Sequence, residues 1–140
     1  MDTEITFRST FKKMEYTNNV FITAEKQPIV LGQGVFRNIP FVIVNTYGWH
    51  PCAYINVEEN KKISEDNYDE YPFNPHGGIT FASKSENYLP EIEDRIWLGW
   101  DFAHAGDKSI FMDGHRWTTE EVFQDIIRTI NDYYKGEKEW

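Results

Sequence analysis

The sequence predicts an α+β fold: a largely antiparallel sheet with a C-terminal amphipathic helix packed on one face. Two observations carry that expectation. Apolar runs of strand length recur along most of the chain, bounded by Gly, Pro, Asn or Asp. From Thr118 onward the apolar positions switch to helical spacing and keep it. No internal repeat or shift of composition interrupts the chain, so residues 1–140 read as a single domain.

Residues 1–19 admit two readings. Ile5, Phe7 and Phe11 fit an alternating strand, the preferred reading, while Phe7, Phe11, Met14 and Glu15 fit a short helix. Val20-Phe21-Ile22-Thr23 reads as a strand that stops before Gln27-Pro28. Ile29 to Phe36 carries Gly32 and Gly34, marks of a turn or a bulged strand. A phosphate-cradling loop fits poorly there, because no Gly-Lys-Ser/Thr ending follows.

Pro40-Phe41-Val42-Ile43-Val44-Asn45 is a continuous apolar run, as expected of a central strand covered on both faces. Tyr47 to Pro51 turns the chain and Cys52 to Val57 resumes as a strand, which makes a hairpin with an aromatic tip. Glu58 to Tyr71 is polar and acidic, and loops of that length often serve as lids or binding loops. Tyr68 and Tyr71 either close over a ligand or pin the loop to the body.

Ile79 to Ser83 is the next strand, followed by a polar connection through Pro90 and Asp94 and then a central strand from Ile96 to Asp101. An irregular segment runs on through Asp113-Gly114-His115-Arg116-Trp117. Thr118 and Glu121 form a capping-box pattern, in which hydroxyl and carboxylate satisfy amides at a helix start. Val122, Phe123, Ile126, Ile127, Ile130 and Tyr134 then make one wide apolar stripe, and Lys135-Gly136 supplies a stop.

Composition narrows the function classes. A chain of 140 residues buries roughly two-thirds of its unfolded surface and needs no metal or disulfide staple to fold. Cys52 is the lone cysteine, which fits a reducing, cytoplasmic setting. No apolar run reaches membrane-span length, and the polar start lacks the features of a signal peptide. A net charge of −9 and a pI near 4.8 oppose direct contact with nucleic acid, since the phosphates require facing Lys and Arg. An acidic face that mimics nucleic acid is the alternative use of that charge.

All four histidines, His50, His76, His104 and His115, stand beside turn-forming or aromatic residues. His50 and His115 are expected in structural or surface roles, His76 and His104 in functional ones. Asp101, His104 and Asp107 recur at three-residue intervals, which makes a divalent cation a candidate cofactor. No Cys pair or His-Glu-x-x-His pattern accompanies them. In a proton-transfer reading, Asp101 or Asp107 orients His104, with His76 on the facing loop. Gly77 and Gly78 then offer amides to an anion and Thr80 adds a hydrogen bond. No nucleophile stands out, because Cys52 lies in an apolar strand and no Gly-x-Ser-x-Gly elbow is present. Trp49, Tyr54, Trp97 and Trp100 are available for stacking, although strand aromatics are more often core.

The pieces Gly48-Trp49-His50-Pro51-Cys52-Ala53-Tyr54, Tyr68-Asp69, His76-Gly77-Gly78-Ile79-Thr80 and Trp97 through Asp107 resemble a group of small uncharacterised proteins of bacteria and their phages. The shared motifs have the form HGGxT and WxGxDxAHxGD. The resemblance implies a common site at His76, Asp101, His104 and Asp107 and brings no established activity. The chain departs from the pattern at Ala53, where a glycine is usual, and in the acidic loop Glu58 to Asp66, where a His-Pro pair is common.

Two functions follow as expectations. One is a pocket that binds a small polar or nucleotide-like ligand, with hydrolysis of that ligand and binding alone both left open. Its catalytic residues are His76, Asp101, His104 and Asp107, and Gly77, Gly78, Thr80, Tyr68 and Trp100 contact the ligand. The other is a non-enzymatic acidic inhibitor of a host defence factor, of anti-CRISPR or DNA-mimic type. The partner is a small molecule in the first case and a host protein in the second. Association of copies of the chain stays open in both.

Overall fold

A computed structural model describes residues 5–9, 29–45, 50–59, 63, 75–84, 89, 91–108 and 113–137. Among the described residues six strands form one sheet: β1 (Ile5–Ser9), β2 (Ile29–Phe36), β3 (Ile39–Asn45), β4 (Pro51–Glu58), β5 (Phe81–Ser83) and β6 (Arg95–Asp101). Their order is β1-β2-β3-β4-β6-β5 and every pairing is antiparallel. One helix, α1 (Thr119–Glu137), packs against the sheet, as the α+β reading expects.

β3 and β4 lie at the centre because their side chains are apolar on both faces. Phe41, Ile43, Ala53, Ile55 and Val57 join the core beneath the helix, together with Ile96, Leu98 and Trp100 of β6. Val42, Val44, Cys52, Tyr54 and Trp97 alternate onto the opposite face. The Ile96–Asp101 run is therefore an interior strand, but it lies second from the edge, with only the short β5 outside it. β5 is shorter than the sequence run, although Thr80 N still donates to Gly99 O at 2.9 Å.

Of the two readings of Ile29 to Phe36, the bulged strand is the one formed, with the register shifting between Val30 and Gly32. Its hairpin to β3 turns through Arg37 and Asn38, both at positive φ (51° and 68°). Two successive left-handed residues make the two-residue turn that matches strand twist. The sequence reading passed over this turn, because Arg is not among the residues that favour that conformation.

Thr118 and Glu121 cap α1 reciprocally: Glu121 N donates to Thr118 Oγ1 at 3.2 Å and Thr118 N donates to Glu121 Oε1 at 2.9 Å. Val122, Ile126 and Ile130 are completely buried, each worth about 1.5–3 kcal/mol of apolar burial. The helix does not stop at Lys135-Gly136 but continues to Glu137. Ile63, within the acidic stretch after β4, is also fully buried and joins the core under the helix, so that stretch has an apolar anchor the composition concealed. No helix among the described residues is long and apolar enough to cross a membrane. Val20–Thr23, the hairpin tip at residues 46–49, Tyr68 and Tyr71 lie outside the described residues.

Candidate functional site

Two glycine turns meet at the end of the sheet where β6 finishes and β4 begins. Pro75 to Gly78 is closed by Gly78 N donating to Pro75 O at 2.8 Å, with Gly77 third at φ 74°. His104 to Asp107 is closed by Asp107 N donating to His104 O at 2.9 Å, with Gly106 third at φ 93°. A positive φ at the third position is what a type II turn demands, and glycine meets it without strain. The second turn is tied to the segment before the helix: His115 N donates to Gly106 O at 2.7 Å and Lys108 N to His115 O at 2.8 Å. Gly114 is required there, since a Cβ would sit 2.4 Å from Gly106 O.

Asp107 organises the cluster. It is a buried carboxylate, and its two oxygens accept three N–H groups. Oδ2 takes His76 Nε2 at 2.7 Å and His104 N at 3.0 Å, and Oδ1 takes Trp117 Nε1 at 2.8 Å. Burial, the strongest influence, pushes the Asp107 carboxyl up. The hydrogen bonds from His76, the His104 amide and Trp117, with the charge on His76, together outweigh it and hold the group below the usual carboxylate range.

An ionised Asp107 can only accept, so the bond to His76 requires the proton on Nε2. In neutral His76 the lone pair then lies on Nδ1, which has no hydrogen-bond partner among the described residues. The ring is held on its sides as well. It stacks on Phe102 with centroids 5.0 Å apart and planes 3° from parallel, and Trp117 leans on it at 4.7 Å. About a quarter of the side chain (26%) stays exposed. This is an imidazole fixed in orientation and, when neutral, in tautomer, at the rim, with Nδ1 left over.

His104 and Asp101 are nearby but differently arranged. The two imidazole centroids are 5.7 Å apart. His104 Nε2 lies 3.1 Å from Asp101 Oδ1, but the N–H direction misses the carboxylate, so Nε2 is buried without a hydrogen bond among the described residues. Asp101 Oδ1 instead accepts the Ala103 amide at 3.2 Å, which turns the chain out of β6. Among the described residues the imidazole hydrogen bond of Asp107 goes to His76, while His104 meets Asp107 through its amide and stands 3.1 Å from Asp101 without a ring hydrogen bond. Gly77 brings the turns together, because a Cβ on it would fall 2.2 Å from His104 Nε2.

The other expected contacts divide. Gly77 and Thr80 are exposed at the rim. The Gly78 and Thr80 amides are already spent on Pro75 O and Gly99 O, so neither serves an anion in this conformation. Trp100 is 1% exposed and its indole N–H donates to Asp125 Oδ2 at 3.0 Å, which places it in the core and away from solvent. No group of three or more His, Cys, Asp or Glu side chains among the described residues is arranged to hold a metal ion. His115 is exposed and contacts Glu121 at 2.9 Å beside the helix cap.

Sequence reasoning missed Trp117 and Asp125. Asp125 Oδ2 accepts both Trp100 Nε1 and the His76 amide, the latter at 3.2 Å, and Oδ1 accepts from Arg128. It therefore ties α1 to the turn that carries His76. The available signal was an aspartate at a core-facing position between Val122 and Thr129.

No family model, curated protein or solved structure matches the chain.

Proposed function

We propose that the rim site binds and hydrolyses a small polar or phosphorylated ligand, with His76 as the proton-transfer residue and Asp107 as the carboxylate that positions it. The supporting observation is the 2.7 Å contact between His76 Nε2 and the buried, three-donor Asp107. In the proposed step, His76 Nδ1 removes a proton from water as the water oxygen bonds to the phosphorus or carbonyl centre. The bond to the leaving group breaks with its electron pair, and the imidazolium, stabilised by Asp107, returns the proton to that group. His104 supplies a second imidazole close enough to contact the same ligand.

The resemblance to bacterial and phage proteins makes nucleotide signals of host defence the first ligands to try. Linear and cyclic dinucleotides and nucleoside triphosphates, incubated with the protein and resolved by chromatography, provide the test. Wild type is expected to turn over a member of that set, and His76→Gln to do so roughly 10²–10⁴-fold more slowly at a temperature where both chains are folded by circular dichroism. Full activity in His76→Gln overturns the reading. Loss of biological activity only on reversing Glu58, Glu59, Glu65 and Asp66 would move the function to the acidic exterior.

A further inference from the structure

His76 meets two carboxylates, and they hold different parts of it. Asp107 receives the ring at Nε2, while Asp125 Oδ2 receives the backbone N–H at 3.2 Å. The turn explains why that N–H is on offer. Closure of Pro75 to Gly78 uses the Gly78 amide, so the His76 amide at the second position is left unspent by the turn. The next two residues, Gly77 and Gly78, both have positive φ (74° and 83°) and carry no side chain to restrain the chain. The base of the His76 side chain therefore takes its anchor from outside the turn, from α1.

A carboxylate is an uncommon occupant of that side of the helix. Asp125 has a side chain only 5% exposed, on the face it shares with the fully buried Val122 and Thr129. Burying a charge is costly, and a well-packed apolar residue in its place is often as good for stability or better. What an apolar residue cannot do is accept hydrogen bonds. Oδ2 takes the Trp100 indole N–H at 3.0 Å together with the His76 amide, and Oδ1 accepts from Arg128, whose side chain is half exposed. Trp100 stands on β6 two residues before Phe102, the ring on which His76 stacks. One oxygen of α1 thus holds both the turn that carries the imidazole and the strand that leads to its floor.

We infer that Asp125 is the positioning residue of the rim site: by fixing the His76 backbone against β6, it keeps Nε2 in line with Asp107. What this does for chemistry rests on the proton-transfer reading of His76, whereas the placement of the ring is measurable without it. Hydrogen bonds weaken steeply as their angle closes, so a tilt of the turn loosens the Nε2 bond. Asp107 itself would stay in place, held by the His104 amide and Trp117. Were Asp125 only an anchor for Trp100, its loss would lower stability and leave the imidazole of the folded chain as it was.

NMR of the whole chain without ligand separates the two roles. It reads the ring nitrogen shifts of His76 and the water exchange of its Nε2 proton, with protected Val42 and Ile55 amides, from buried positions of β3 and β4, as the check that the chain is folded. Asp125→Leu removes both acceptor oxygens and is expected to speed Nε2 proton exchange roughly ten-fold or more, and to bring the two ring nitrogen shifts toward each other. Asp125→Asn keeps an oxygen for the two donors without the charge and is expected to give a change of about three-fold, so it decides alone if Asp125→Leu does not fold. Arg128→Gln, on the outer oxygen, is expected to leave the ring signals unchanged. An unaltered His76 ring in every folded Asp125 variant, or an equal change in Arg128→Gln, would overturn the inference. Neither result touches proton transfer by His76, which is judged by turnover in His76→Gln.

Discussion

Two histidine–carboxylate contacts in this molecule have nearly the same length, 2.7 Å for His76–Asp107 and 2.9 Å for His115–Glu121. Their surroundings differ in every respect that sets energy. Asp107 is 4% exposed, whereas the Glu121 and His115 side chains are 42% and 53% exposed. Both carboxyls are held below their usual range. For Glu121 the leading cause is the Thr118 amide of the helix cap, with His115 contributing less. For Asp107 the leading influence, burial, acts in the opposite direction and is overcome by His76, the His104 amide and Trp117. The same pair of functional groups is thus an accessory to a helix cap in one place and the organising centre of a rim in the other. Burial, more than contact length, makes that difference.

The difference predicts a graded set of losses. Asp107→Ala is expected to have the largest effect, about 3–5 kcal/mol of stability, because it strands three inward-facing N–H donors at once. The urea midpoint reads it, and a loss as small as that of a surface variant would deny Asp107 its central role. Gly77→Ala comes next. A left-handed backbone costs roughly 1–2 kcal/mol for a residue with a Cβ, and displacement of His104 adds to it. Its melting temperature and the His104 ring resonances should shift together.

The pH dependence has a definite sign. The native pKa of Asp107 is depressed, so on acidification the unfolded chain takes up the proton first. The stabilisation is complete above the ordinary carboxylate value of about 4 and is lost as pH falls through the lower native value. Urea midpoints of wild type and Asp107→Asn should therefore stand well apart at pH 7 and converge toward pH 3. Thr118→Ala is expected to cost about 1 kcal/mol, the ordinary loss of a helix cap. His115→Ala should leave the melting temperature unchanged within error, and a large drop would erase the contrast between the two pairs.

Local chemistry in the sequence announced local structure. The Thr118–Glu121 cap, the apolar stripe after it and the unbroken run at Phe41–Val44 each rest on residues a few positions apart, and each formed as expected. The juxtaposition of the two glycine turns was also legible, because Gly77-Gly78 and Gly106 mark chain reversals beside ionisable residues. The partnerships inside the cluster were not. His76 meets Asp107 across 31 positions and Asp125 across 49, and no periodicity encodes which carboxylate receives which imidazole. Asp101, nearer in sequence to His104, was the natural candidate to orient it, and it lies 3.1 Å from His104 Nε2 without making the hydrogen bond. Trp100 read as a stacking surface because the strand pattern does not say which face α1 covers.

The protonation of His76 is the most direct test of the rim account, and two-bond 1H–15N correlation spectra of the histidine rings at neutral pH measure it. The account predicts that neutral His76 is the Nε2–H tautomer, with a protected Nε2 proton that disappears in Asp107→Asn. An Nδ1–H tautomer, or a ring that averages freely between the two forms, would contradict it.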